Sequence, residues 1–246
     1  MEPYSIGITT YQHRFDKWLK PLVKSIKKYR PDMEIHIVAN GEHNKKFDEA
    51  YRKEILKFAS EYSNVFLTMY PTFRSLSKLW NNLLINSTTH NMLLLNDDIT
   101  IHEQFFDAIE SIPLGTYKIN HSWSHVMLDR RLVDSIGWFD ERYLGIGEED
   151  GDFEWRYGRA TNGQTIPVIR IPGIINHVDG EDCLDGISVV NGKYSKFNLD
   201  FAFTQKYEES SEGVNYGIMN RALVCLSPTP KLHTTERFYW ENKHKL

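Results

Sequence analysis

The first hundred residues alternate between short apolar runs and longer stretches in which apolar residues recur every three or four positions. The short runs predict strands at 5–10, 34–39, 65–70 and 91–96. The longer stretches predict amphipathic helices at 15–26, 47–62 and 76–84. The fourth strand is continuously apolar at its centre, which is typical of a strand buried on both faces of a parallel sheet. The alternation therefore predicts βαβ units and a Rossmann-like α/β half over about residues 1–100.

The pattern in the second half is more mixed. Val126 to Leu128 predicts a strand, and a short helix follows, with Asp129 as its N-cap. Phe153 to Ala160 predicts another helix, which begins within a dense acidic cluster. Thr165 to Ile171 is strand-like, but Pro167 restricts it to the edge of a sheet. No repeat or linker marks a boundary, so one domain is predicted.

Composition excludes several classes of protein. The 246 residues are 41% hydrophobic and 25% charged, which is typical of a globular domain and not of a disordered chain. Two cysteines, Cys183 and Cys225, are too few for a disulfide framework. The net charge of −4 has no concentrated basic block, so nucleic acid is not an expected partner. No charged leader or apolar run of about 20 residues is present, which favours a cytoplasmic protein and leaves peripheral membrane association open.

The first candidate site is Asn96-Asp97-Asp98, directly after the fourth strand. Ligands of open α/β folds bind at the carboxyl ends of parallel strands. Two adjacent carboxylates there need a cation or hydrogen-bond donors, and a divalent ion such as Mg²⁺ or Mn²⁺ prefers oxygen ligands. A helix cap or a polar loop would explain the same residues.

The second candidate is the acidic run Glu148 to Glu154, which follows Gly145 and Gly147. Acids at a helix N-terminus are favoured electrostatically, so capping alone could explain one or two of them. The excess favours a carboxylate that acts as a general base towards a hydroxyl group.

A third candidate is His177, at the end of a strand-like segment, as a metal ligand or as an ordinary half-buried histidine. Signatures of dinucleotide-binding proteins, P-loop ATPases, zinc sites and serine hydrolases are missing from the sequence.

Four blocks of sequence, and the order in which they follow one another along the chain, resemble the GT-A nucleotide-sugar glycosyltransferases of the family 2-like group. They are Ile6 to Arg14, Ser75 to Asn81, Leu93 to Asp98, and Gly137 to Arg156. The first is similar to the nucleotide-binding loop, and the third is similar to the D-x-D motif with Asn96 in its first position. The fourth resembles the G-x-F-D-E…G-x-E-D-x-D-x-x-x-R block and is the most specific.

The resemblance implies a GT-A fold with a mostly parallel sheet, a nucleotide-binding half at about 1–100 and a mixed acceptor-side half at about 101–246. It implies donor-binding roles for Thr9, Thr10, Tyr11, Arg14, Asn40, Arg74, Lys78, Asn81, Asn96 and Asp97. It further implies that Asp98 holds Mn²⁺ or Mg²⁺, with His177 as a further ligand. Asp150 matches the catalytic base, and Glu149 lies beside it.

The implied reaction is inverting transfer of a sugar from a nucleotide-sugar, with a UDP-sugar favoured, to a hydroxyl group of a glycan or another acceptor. Two alternatives stay open at this point: an inactive sugar- or nucleotide-binding protein with the same scaffold, and a metal-dependent phosphohydrolase. A sugar-1-phosphate nucleotidyltransferase has a related topology, but it typically has a basic glycine-rich loop near its N-terminus, which Thr9 to Arg14 does not resemble. The residues from Cys183 to Leu246 receive no specific role.

Overall fold

The computed structural model describes residues 4–41, 46–177, 193–209 and 223–229. Cys183 and much of the C-terminal region lie outside these ranges. The strands are β1 (Tyr4–Tyr11), β2 (Ile35–Asn40), β3 (Val65–Met69), β4 (Asn91–Asn96), β5 (Ile99–Ile101), β6 (Tyr117–Ile119), β7 (Ser122–Asp129), β8 (Val168–Ile169), β9 (Ile174–Asn176), β10 (Tyr207–Glu209) and β11 (Leu223–Cys225). The helices are α1 (Lys20–Tyr29), α2 (Glu49–Ser60), α3 (Leu76–Asn86), α4 (Glu103–Glu110), α5 (Arg130–Ile136), α6 (Glu149–Ala160) and α7 (Lys193–Phe201).

Two compact units divide the chain. The first comprises the described parts of Met1–Phe73, Asn82–Arg131 and Pro167–Gly186. The second comprises the described parts of Arg74–Asn81, Leu132–Ile166 and Ile187–Leu246. The central sheet belongs to the first unit, and helices α6 and α7 belong to the second.

A seven-stranded sheet organises the first unit, in the order β3-β2-β1-β4-β7-β6-β8. Strands β3, β2, β1 and β4 run parallel, as the sequence predicts, and β7 then pairs antiparallel with β4. Each apolar residue at the centre of β4 is almost completely buried, which confirms that this strand is covered on both faces. The mostly parallel α/β architecture is therefore confirmed.

Local sequence signals explain where several helices begin. The Asp48 carboxylate accepts the main-chain N–H groups of Ala50 and Tyr51 and so caps α2. The Ser75 hydroxyl accepts the N–H of Lys78 at the start of α3, and Asp129 accepts the N–H of Arg131 at the start of α5. These caps confirm the predicted starts of α3 and α5.

The structure also contains elements that the pattern did not predict, among them β5, α4, β6 and α7. Helix α4 has only 8 residues, and its buried side chains, Phe105, Phe106 and Ile109, are too few to produce a clear helical period. Strand β8 lies at the sheet edge, as Pro167 predicts. No helix in the described ranges combines the length and the apolar character that crossing a membrane requires.

Gly41, which directly follows β2, provides a test of the packing in the first unit. A Cβ atom at this position would lie 2.7 Å from the main-chain N and C of Thr72, which cannot move aside as a side chain can. We therefore expect Gly41→Ala to lower the free energy of unfolding by about 1–3 kcal/mol, measured by urea denaturation.

Gly115→Ala is the matched control, because a Cβ atom there would have no neighbour within 4 Å. We expect that variant to stay within about 1 kcal/mol of wild type. Equal stability of the two variants would contradict the close packing of Gly41 against Thr72.

Candidate functional site

In the first unit, three strands bring predicted donor-binding residues to one edge of the sheet. Tyr11 on β1 pairs with Asn40 on β2, and Thr9 on β1 pairs with Asn96 on β4. Because these strands are parallel, all of these residues lie at the carboxyl ends of their strands. Thr9, Thr10 and Asn40 are at most 9% exposed, so this edge carries buried polar side chains.

Arg14 supplies the positive charge at this edge. Its Nε donates to Asp97 Oδ1 at 2.6 Å, and its Nη2 lies 2.7 Å from Asp98 Oδ2. Burial alone would lower the pKa of Arg14, but the two carboxylates outweigh burial and raise it. The resemblance assigns Arg14 to the nucleotide pocket, whereas in the structure its guanidinium compensates the two acids.

Asp97 is almost completely buried. Burial raises the pKa of Asp97 to about 7, although the charge of Arg14 acts in the opposite direction. The neighbouring Asn96 donates from Nδ2 to the Ser124 hydroxyl on β7 at 3.1 Å. The first position of the D-x-D-like block is therefore tied to the adjacent antiparallel strand.

His125 belongs to the same region and was not predicted. It lies opposite Leu95 in the pairing of β4 with β7, and it is 3% exposed. Burial lowers the pKa of His125 to about 4, against the opposing effect of the Asp98 charge, so its imidazole is neutral. Its Nδ1 has no hydrogen-bond partner among the described residues. Only the antiparallel register of β7 brings His125 here, and the sequence gives no signal of that register.

His177 follows β9 and lies beside the main chain of Asp98, to whose carbonyl oxygen its N–H donates at 3.0 Å. Its side chain is exposed, with Nε2 2.8 Å from the Thr100 hydroxyl and the ring 4.7 Å from that of Trp18. The pairing of β5 with β9 thus places the main chain of His177 beside that of Asp98, and the role of His177 as a metal ligand stays a prediction.

The oxygen atoms available at this edge are suited to a divalent ion that also takes ligands from its substrate. Carboxylate oxygens such as those of Asp98 suit Mg²⁺ or Mn²⁺, which are commonly bound by one or two carboxylates together with phosphate oxygens. Among the described residues, no group of three His, Cys, Asp or Glu side chains is arranged to hold an ion. The Asp98 carboxylate is thus of the type that such an ion takes, although the described residues form no closed metal site.

In the second unit, residues of α3 hold the Phe139–Glu141 segment. Asn81 Nδ2 donates to the Phe139 carbonyl at 2.8 Å and to Glu141 Oε1 at 2.9 Å, while Asn81 Oδ1 accepts the Phe139 N–H. Lys78 Nζ lies 3.2 Å from Glu141 Oε2. Arg74, just before α3, is 8% exposed. These three predicted donor-binding residues thus belong to the unit that contains α6, and two of them stabilise the fourth sequence block.

Asp140 and Asp152 of the fourth block share one buried cation. Lys206 is completely buried, and its Nζ lies 2.6 Å from Asp140 Oδ2, from Asp152 Oδ1 and from the Thr229 hydroxyl. Burial alone would raise the pKa of both carboxyls, but Lys206, the largest opposing charge on each, keeps both below their ordinary values. Asp152 also accepts from Arg156 Nε at 2.9 Å. No sequence motif connects Lys206 with these acids.

Glu149 and Asp150 form the first turn of α6. Glu149 is 4% exposed, and its Oε2 accepts the N–H of Gly147 at 2.6 Å. Burial, reinforced by the charges of Asp150 and Glu148, raises the pKa of Glu149 to about 8. Asp150 is half-buried, and its Oδ1 accepts the N–H of Gly151 at 2.8 Å. Unlike Asp140 and Asp152, Glu149 is therefore protonated at neutral pH.

Among solved structures, the chain is similar to S. aureus TarS, a GT-A-type glycosyltransferase. The match has a TM-score of 0.52 and 14% identity and covers 83% of this chain and 44% of TarS. The TarS 1–349 structure in complex with UDP gives a TM-score of 0.51 at 14% identity, over 82% of this chain and 73% of that one. These matches show that the protein has a GT-A-like fold.

A mannosyltransferase, PcManGT from Pyrobaculum calidifontis in complex with GDP-Man and Mn²⁺, matches with a TM-score of 0.49 and 11% identity. That match covers 68% of this chain and 54% of PcManGT. No protein-family model and no curated protein matches the sequence.

The raised pKa of Glu149 predicts how stability depends on pH. Between its ordinary pKa of 4.5 and about 8, the folded protein retains a proton that the unfolded chain releases. The free energy of unfolding should therefore fall as pH rises through this window, by up to about 1.4 kcal/mol per pH unit. Glu149→Gln should remove this contribution, so its stability relative to wild type should increase from pH 5 to pH 8.

Urea denaturation of both proteins at several pH values measures this difference, with Glu103→Gln in the exposed first turn of α4 as the control. Parallel stability curves for wild type and Glu149→Gln would show that Glu149 is ionised in the folded protein.

Proposed function

We propose that the protein is a nucleotide-sugar glycosyltransferase with a donor-binding edge in the first unit. The observation that carries this proposal is the register of β1, β2 and β4, which gathers Thr9, Tyr11, Asn40 and Asn96 at one sheet edge next to Asp97 and Asp98. Four of the positions that resemble donor-binding motifs thus lie together at this edge, which supports the proposal.

The proposed donor is a nucleoside diphosphate sugar, with a UDP-sugar favoured. TarS, which has the same type of fold, has been crystallised with UDP. Thr9, Thr10, Tyr11 and Asn40 would contact the nucleoside, and Asp97 would contact the ribose or the sugar. Arg14 would hold the Asp97 and Asp98 carboxylates in place at this edge through its two ion pairs.

The proposal includes a divalent ion, Mn²⁺ or Mg²⁺, held by Asp98 and His177 together with the diphosphate. When bound, such an ion would stabilise the negative charge that develops on the departing nucleoside diphosphate. The main-chain N–H of His177 donates to the carbonyl oxygen of Asp98, so the backbones of these two residues lie side by side, which supports their assignment to one ion.

Asp150 is the proposed base. It is half-buried at the start of α6, where it can accept a proton from the hydroxyl group of a glycan or another acceptor. Glu149, protonated at neutral pH, is not available to accept that proton, and it can instead donate a hydrogen bond. Attack of the deprotonated acceptor on the anomeric carbon, with departure of the nucleoside diphosphate, would invert the configuration.

Asp150→Asn tests the assigned base. The amide keeps the size and polarity of the carboxyl but cannot accept the proton, so we expect sugar transfer to fall by about 10²-fold or more, with nucleotide affinity unchanged. Transfer is measured by mass spectrometry with mixed UDP-, GDP- and dTDP-sugars and a panel of glycan acceptors, and nucleotide affinity is measured by calorimetry.

Asp107→Asn on α4 is the control, since Asp107 is exposed and pairs with Arg30 at the surface. Full activity of Asp150→Asn would exclude Asp150 as the base. Release of free sugar or phosphate without any acceptor would instead favour the phosphohydrolase alternative.

A further inference from the structure

The turn that leads into α6 has a backbone that needs support from outside. Gly145, Gly147 and Glu148 have φ angles of 64°, 114° and 73°, so three of four consecutive residues are in the left-handed region. Glu148 has a Cβ atom, which makes this conformation unfavourable for it. Such a turn keeps one geometry only where surrounding groups determine it.

Helix α7 supplies that support through Asn198. The Asn198 side chain is completely buried, and its Oδ1 accepts the N–H of Leu144 at 2.7 Å. Its Nδ2 donates to the carbonyl oxygens of Leu144, at 2.9 Å, and of Gly147, at 2.7 Å. Both amide hydrogens and the amide oxygen are therefore used on the two ends of the turn.

These bonds connect Asn198 to the two acids Glu149 and Asp150 through a single residue, Gly147. Gly147, whose carbonyl accepts from Asn198, donates its own N–H to Glu149 Oε2 at 2.6 Å. Tyr194, also on α7, covers the same turn, because a Cβ atom at Gly145 would overlap the Tyr194 ring. Movement of Gly147 would displace the N–H that orients the Glu149 carboxyl, and it would shift the first turn of α6.

We propose that Asn198 is a positioning residue for the Glu149–Asp150 pair, holding the 144–148 turn in the geometry that presents these carboxyls. This inference rests on the proposed function for its catalytic consequence, but its structural part is independent of any reaction. It gives helix α7, for which the sequence indicated no role, a specific part in the site.

Asn198→Leu is the test, because leucine has a similar size and removes all three hydrogen bonds. We expect faster hydrogen exchange at the amides of Leu144 and Gly147. We also expect kcat for transfer to fall by about 10²-fold, while the donor KM and the nucleotide affinity stay near wild type. Asp200→Asn, at an exposed position of the same helix, is the matched control and should change neither quantity.

Asn198→Ser is the second variant, in case Asn198→Leu does not fold, which thermal unfolding monitored by circular dichroism would reveal. Serine can replace only part of the hydrogen bonding, so we expect an intermediate exchange rate and an intermediate kcat.

Unchanged exchange in the turn, or unchanged kcat in a folded Asn198 variant, would overturn the positioning role. Absence of transfer in wild type and in Asp200→Asn would instead count against the proposed function, and the exchange measurement would still decide whether Asn198 holds the turn.

Discussion

A carboxylate that is removed from water is stable only beside a cation or several hydrogen-bond donors, and this constraint determines how both units are built. In the first unit, Arg14 compensates Asp97 and Asp98 at the end of β4. In the second unit, Lys206 compensates Asp140 and Asp152. In both places the cation is distant in sequence from the acids that it neutralises, so the ion pairs connect segments that local propensity alone would leave unrelated.

Glu149 is the informative exception. It is as buried as the compensated acids, but the neighbouring charges that act on it, those of Asp150 and Glu148, are negative. The physical consequence is a neutral carboxyl whose pKa is raised to about 8. Two neighbouring acids in one turn of helix can therefore have different roles. Glu149, as a protonated acid, can donate a hydrogen bond, and the half-buried Asp150 can accept a proton. Structural capping requires no such difference between neighbouring acids.

The sequence predicted what depends on local pattern. Apolar periodicity located the four parallel strands and the first three helices, and cap residues such as Asp129 located helix starts. The end of the fourth strand also indicated that Asp97 and Asp98 lie at the carboxyl edge of the sheet. What it could not predict depends on long-range register and packing. His125 reaches the site only because β7 runs antiparallel to β4, and Asn198 acts on a turn far away in sequence. Neither residue lies in a recognisable motif.

Donor binding at the edge formed by β1, β2 and β4 is the property on which the proposed function depends most directly. Calorimetric titration with UDP, GDP and dTDP, with and without Mn²⁺, tests it with wild type, Asp98→Ala and the surface control Asp107→Ala. We predict that one nucleotide binds to wild type and to Asp107→Ala more tightly with Mn²⁺, and that Asp98→Ala loses this enhancement. No binding of any nucleotide, with or without the ion, would contradict the glycosyltransferase assignment while leaving the GT-A-like fold in place.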